Sequence, residues 1–206
     1  MIKIQGKLDR SIYVACSGGV DSMAVVDFLK NNHEVTLCYF NHGTEHGDKA
    51  FEFVEQYASQ NELGLLYGKT NREKDSKESK EEYWRNQRYD FFKSLNAEII
   101  TAHHLDDCIE TWIWSSMHGN PNIIPYRNGN VIRPFRLNKK KDLRLWAYVN
   151  NVPHIEDDSN LDTCYIRNYI RHNFMPHVKT VNPGIDKVIR KKVLKYDTDE
   201  KPTNVN

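Results

Sequence analysis

Apolar and polar positions fall into short runs of one kind followed by longer periodic stretches of another. Residues 11–16 form an apolar run read as a strand, and a helix is expected over about 21–31. A second run at 34–40 precedes a helix over 48–61, where Phe51, Val54, Tyr57 and Ala58 recur at helical spacing. A strand at 63–67, a helix over 81–95 and a strand at 98–102 continue the alternation. The helix expected over 105–118 places Leu105, Ile109, Trp112 and Ile113 on one face. Strands that alternate with helices pair in parallel, so the predicted fold class is α/β, a doubly wound, Rossmann-like parallel sheet. Ligands of such sheets bind beyond the carboxyl ends of the strands. The segments at 17–22, 41–43 and 103–104 each follow a strand and are expected to meet there.

Past residue 118 the pattern changes. Gly119 to Gly129, with Pro121 and Pro125, reads as an exposed loop, and Val131-Ile132 is a short apolar pair. Helices are expected over 139–150, over 162–174 (stopping near Met175-Pro176) and over 184–195. The expected organisation is a nucleotide-binding domain over 1–130, a helical, basic extension over 131–196 that completes the site, and a disordered polar tail over 197–206. The segment 69–82 carries charges of both signs without apolar period and reads as a mobile loop.

Composition narrows the class. The chain is 39% hydrophobic and 28% charged, as expected of a soluble globular protein. A net charge of +1 means that nucleic-acid binding must come from local patches. Two segments are candidates, with solvated helix faces an equal reading for each: 133–144 has six Lys and Arg against Asp142, and 179–196 has six against Asp186. The four cysteines (Cys16, Cys38, Cys108, Cys164) form no Cys-x-x-Cys pair, which argues against a zinc ribbon or iron–sulfur site and for a reducing compartment. The amino terminus has no leader-like apolar core, and no run approaches about 18 apolar residues, so the expected location is the cytoplasm, with no membrane contact. Oligomeric state, a homodimer included, stays open.

The chemistry concentrates in a few stretches. Ser17-Gly18-Gly19-Val20-Asp21-Ser22 joins a strand to a helix. Its glycines allow the backbone to approach a ligand, and N–H groups of the turn and first helical turn favour an anion. Asp21 offers a carboxylate for Mg²⁺ beside phosphates. The loop has no lysine and is not a Walker A loop. Gly64 to Thr70 resembles a phosphate loop but has three residues between its glycines rather than four, and is dismissed. A helix starting near His103 would align His103, Asp107 and Glu110 on one face, able to hold Mg²⁺ or a cationic amine; a capped, solvated helix start explains the acids equally well. Arg85 and Arg88 share a helix face that suits phosphates or helical ion pairs. Arg167, Asn168 and Arg171 fall on neighbouring turns of a helix expected to be capped near Asp162.

Ser17 to Ser22 resembles the pyrophosphate loop of ATP pyrophosphatases, the PP-loop superfamily. Together with Asn41-His42, Glu82 with Arg85 and Arg88-Tyr89, the run Ala102-His103-His104-Leu105-Asp106-Asp107 with Glu110-Thr111, Arg133-Pro134, and Asp157 through His172, it resembles the tRNA(Ile)-lysidine synthetases over about residues 10–178, as a short form with the catalytic core only. The resemblance implies that ATP and Mg²⁺ adenylate the wobble cytidine of tRNA(Ile) with a CAU anticodon, and that free lysine then displaces AMP. It implies nucleotide binding by Ser17, Gly18, Gly19, Val20, Asp21, Ser22, Asn41 and His42, metal binding by Asp21 and Asp107, and catalytic roles for Asp21, His103, Asp107 and Glu110. Arg85, Arg88, Arg133, Asp162, Arg167, Asn168, Arg171 and His172 would meet the tRNA anticodon region. Two alternatives stand beside it. Cys108, where that family usually has glutamine, would suit a thiolase of the same fold, although those use paired cysteines. A non-catalytic ATP- or RNA-binding protein is the other.

Overall fold

The computed structural model describes residues 1–156 and 162–199. Its strands are β1 (Ser11–Ala15), β2 (Glu34–Asn41), β3 (Gly64–Lys69), β4 (Ile99–Ile100), β5 (Arg127–Asn128) and β6 (Val131–Ile132). They form one sheet in the order β3-β2-β1-β4-β6-β5, parallel except for β5. The helices are α1 (Val20–Lys30), α2 (Glu45–Gln60), α3 (Lys80–Ser94), α4 (Leu105–Met117), α5 (Lys140–Val149), α6 (Ile166–Tyr169), α7 (Met175–Val181) and α8 (Ile185–Asp199).

The expected α/β class and the order of its first elements hold. Helices α1, α2 and α5 bury Met23, Leu29, Val54 and Leu143 against one face of the sheet, and α3 covers the other with Phe92. A second core joins α4 to α8 through Ile109, Ile113, Ile189 and Val193. Chain direction across the sheet reverses between β1 and β4, the switch point where ligands of such sheets bind. Among the described residues, no helix is long and apolar enough to cross a membrane.

Several expectations are corrected. The segment 119–129 is not wholly an exposed loop: Ile123 is buried, and Arg127–Asn128 pairs antiparallel with β6. β6 itself pairs with β4, so the sheet continues across residue 130. Pro176 does not stop the helix before it. A π-helical turn, Ile170–Phe174, precedes α7, and Pro176 lies in the first turn of α7, where a missing N–H is tolerated. The helix expected from 162 begins only at Ile166, because Asp162 Oδ1 accepts from the Cys164 N–H and holds a turn first. α8 runs beyond 195, and Asp197 is helical rather than part of a tail, held by hydrogen bonds from Gln5 Nε2 and the fully buried Arg136. The rest of that tail, 200–206, and Asp157-Asp158-Ser159-Asn160 lie outside the described residues.

Candidate active site

Residues 16–19 turn sharply between β1 and α1. Gly18 has φ +82°, and a Cβ there would lie 3.2 Å from the Ile155 side chain. The Ile155 N–H donates to the Gly18 carbonyl at 3.0 Å, so the chain after α5 lies over the loop. Ser22 shapes the turn from within: its hydroxyl donates to the Gly19 carbonyl at 2.9 Å and accepts from the Ser17 N–H at 3.2 Å. Ser17 is exposed. Gly19 is the N-cap of α1 and has no side chain to cap it, so the first helical N–H groups, from Val20 onward, face the strand ends.

Asp21, on the first turn of α1, meets the segment after β4. His104 Nε2 lies 3.6 Å from Asp21 Oδ2, and its Nδ1 accepts the Asp107 N–H at 3.3 Å. Asp107 Oδ2 accepts the His104 N–H at 2.9 Å, which completes a reciprocal cap on α4. The cap starts the helix one residue after His104, so His103 lies outside it and does not share the helical face expected from sequence. Burial disfavours charge on His104, but Asp107 and Asp21 outweigh it and raise its pKa above the usual imidazole value. His103 goes the other way. Burial and the cations Arg133, Arg167 and Arg88, opposed by Asp107, lower its pKa to about 3, so it is neutral. Its Nδ1 meets the Thr101 hydroxyl at 2.8 Å.

The carboxylates of α4 are engaged from the segment that follows Asp162. Asp107, 7% exposed, accepts at Oδ1 from Arg167 Nη2 at 3.0 Å and Arg171 Nη2 at 3.4 Å. Burial would raise its pKa, but His104, Arg167 and His103 outweigh that and keep it ionised. Glu110 takes Arg171 through both oxygens, each at 2.9 Å, a fork geometry that fixes the guanidinium. Arg171 thus lies within the site. Asn168, buried, donates to the Asp162 carbonyl at 2.9 Å, and His172 lines a cleft together with Glu110 and Arg171.

At the end of β2, Asn41 is buried with its amide engaged at both ends: Oδ1 accepts from the Gly43 N–H and Nδ2 donates to Asp48, both at 2.8 Å. It orders the turn. His42 has a buried Nδ1 without a hydrogen-bond partner among the described residues, and burial with the Arg88 charge lowers its pKa to about 4. Its ring lies 5.3 Å from that of Trp84, which carries Lys80 over its face at 4.5 Å. Arg85 is exposed and its guanidinium lies over the Tyr89 ring at 5.0 Å.

Arg133 does not reach the surface as expected. It is 2% exposed, and its guanidinium donates to the Pro125 carbonyl and the Tyr89 hydroxyl, bracing α3 against the chain before β6. Arg136 is likewise internal, so much of the basic stretch 133–144 is structural. Cys108 faces the second core, fully buried, with its thiol pushed up to about 12 by burial and the Asp107 charge. It is no nucleophile, and the geometry does not favour sulfur chemistry.

Three contributors were not named as site residues from sequence, although His104 and Asp106 lie in the run 102–107. His104 bridges Asp21 to Asp107. Asp106 accepts the Lys140 N–H at 2.8 Å and fixes the start of α5. Lys140 Nζ comes within 3.8 Å of Asp21 Oδ2. Only the strand–helix order hints at the first two, and nothing local marks Lys140.

A glycine-rich turn and a capped helix meeting at the switch point of a parallel sheet define a PP-loop nucleotide-binding protein. The PP-loop domain profile matches residues 2–178, and the chain belongs to that family, whose fold implies use of ATP. Within it, the chain is similar to tRNA(Ile)-lysidine synthases. It is 33% identical to that of Thermosipho africanus over 201 residues (86% of this chain, 46% of the relative), 32% to that of Persephonella marina (85% and 43%) and 30% to that of Thermotoga maritima (86% and 47%). It spans less than half the length of these relatives. The NH3-dependent NAD synthetase of Campylobacter jejuni shares the fold at 13% identity, with a TM-score of 0.50 over 92% of this chain and 86% of the other.

Proposed function

We propose that this chain carries the catalytic core of a tRNA(Ile)-lysidine synthase, which uses ATP to ligate free lysine to the wobble cytidine of the CAU anticodon. The supporting observation is the Asp21–His104–Asp107 connection, which joins the phosphate loop to the carboxylate helix. It unites the loop that activates a phosphate with the acids that attract an amine.

Helix α1 N–H groups and Ser17 bind the triphosphate, and backbone donors stabilise charge developing there. Asp21 Oδ1 is buried with no hydrogen-bond partner among the described residues, which fits a cation. No cluster of three or more metal-ligating side chains exists among them. One carboxylate plus phosphate oxygens is a common Mg²⁺ environment. Asp21 is therefore the residue to hold Mg²⁺, whose chemistry when bound is to neutralise the departing phosphates. Asp107, whose two oxygens are both engaged, positions His104, Arg167 and Arg171.

His42, with its open Nδ1 beside Trp84, suits the adenine end of ATP. Neutral His103 suits hydrogen bonding to the target base. Glu110 attracts the lysine ammonium once Arg171 is released toward RNA phosphate, and the Asp107 charge beside it adds to that attraction. Lysine attacks as the free amine, and a carboxylate of this group takes the proton. Arg85, Arg88, Arg167 and the exposed lysines of α8 (Lys187, Lys191, Lys192, Lys195) offer the tRNA backbone its counter-charges.

ATP–pyrophosphate exchange measured with and without tRNA(Ile) tests the adenylation half. Exchange that requires the tRNA is expected; exchange unaffected by it, or absent despite ATP binding, would contradict the proposal.

A further inference from the structure

Helix α4 carries two of its acids on a stripe that does not end with them. Asp107, Glu110, Trp114 and His118 follow one another at intervals of three and four residues and so share one face. Arg167 and Arg171 cover the first two. Trp114 is 42% exposed, and residues 117–122 beyond it are exposed as well, so the second half of the stripe stands open among the described residues. Core packing falls to other side chains: Ile109 and Ile113 meet α8, and Lys192 of α8 lies over the ring of Trp112. The open ring is nonetheless held in place. His118 Nδ1 donates to the Trp114 carbonyl at 2.8 Å, and the two rings lie 4.5 Å apart with their planes 36° from parallel. An indole braced in this way presents its π-face to solvent and has little side-chain freedom left to lose on binding.

We infer that Trp114, braced by His118, is a stacking platform for an unpaired RNA base next to the target cytidine. The inference rests on the lysidine synthase reading above. A cytidine whose base enters this site must leave the anticodon stack, and its neighbour then lacks a stacking partner. Trp114 lies four residues along α4 from Glu110, about 6 Å on the rise of a helix, within reach of an adjacent nucleotide. Arg167, 45% exposed beside Asp107, leaves a cation on the same face for the intervening phosphate. Every base has a π-face, so the platform adds affinity without selecting sequence. The occupant is therefore single-stranded RNA, and a protein partner for this face is an outcome of the test.

Fluorescence anisotropy of a labelled anticodon stem-loop of tRNA(Ile), titrated with the full chain, tests this. Trp114→Ala is expected to weaken RNA binding about tenfold and to leave ATP binding unchanged. Trp114→Tyr should restore most of the affinity and Trp114→Leu should not, because a stacked base needs the ring rather than apolar bulk. An abasic nucleotide beside the cytidine should cost the wild-type chain about as much as Trp114→Ala does, and should cost that variant nothing further. Wild-type RNA affinity in Trp114→Ala overturns this inference alone, and is the result a protein-docking face would give. Restoration by Trp114→Leu overturns it too, as does a joint loss of RNA and ATP binding, which marks a structural role. A wild-type chain that binds ATP but not the stem-loop overturns the lysidine synthase reading beneath it as well.

Discussion

Gly18 shows how closely one residue couples backbone to site. Its φ of +82° strains any side chain, and a Cβ would meet Ile155 at 3.2 Å and Phe53 at 3.4 Å. Gly18→Ala is expected to destabilise the fold by about 1–2 kcal/mol and to weaken ATP binding more than tenfold, read from urea midpoints and nucleotide titration. The histidines set a pH dependence whose sign follows from burial. Unfolded, His42 and His103 protonate near the ordinary value of 6.5; folded, they resist to about 4 and about 3. Between those values the unfolded chain holds more protons, so stability falls as pH falls through that window. His104 is opposite in sign: its raised pKa adds stability that is full below 6.5 and lost as pH rises through the folded value. Urea midpoints between pH 4 and 6.5 should rise with pH, and His42→Gln or His103→Gln should flatten the rise. The loop glycines and Asp21 were legible in sequence because their chemistry is local. For His104 a capping role was legible from its place as the second of two histidines, but its bridge to Asp21 was not, because that contact depends on how α1 and α4 meet.

At the scale of elements, α8 is fastened at both ends. Lys139 binds Asp186 near its start, and Asp197 binds the buried Arg136 near its end. Removing one partner of such a pair leaves an uncompensated buried charge. Asp197→Ala should therefore cost about 3–5 kcal/mol of stability, measured by denaturant unfolding, with Asp197→Asn milder. An Asp197 that belonged to a solvated tail would show no such cost. Polar composition hid this anchor, since a lone aspartate in a hydrophilic stretch reads as tail until its arginine is located. The basic segment 133–144 misled for the same reason in reverse, because Arg133 and Arg136 serve the interior. The π-helical turn before Pro176 was likewise beyond reach of pattern, which sees a proline and ends a helix.

At the scale of the molecule, the sheet brings the ends of β1, β2 and β4 to one edge, and this much followed from the alternation of strands and helices alone. What alternation could not convey is the return of the chain after α5 to close the site: Ile155 over the loop, Arg167 and Arg171 onto α4. The central claim is that this edge activates cytidine and delivers lysine to it. Its most direct test is incorporation of radiolabelled lysine into tRNA(Ile) bearing a CAU anticodon, with ATP and Mg²⁺, in the wild-type chain and in Asp21→Ala. Label is expected that requires ATP and is lost in Asp21→Ala, with the variant still folded. Label that persists in Asp21→Ala, or no label from a wild-type chain that binds ATP and this tRNA, would contradict it.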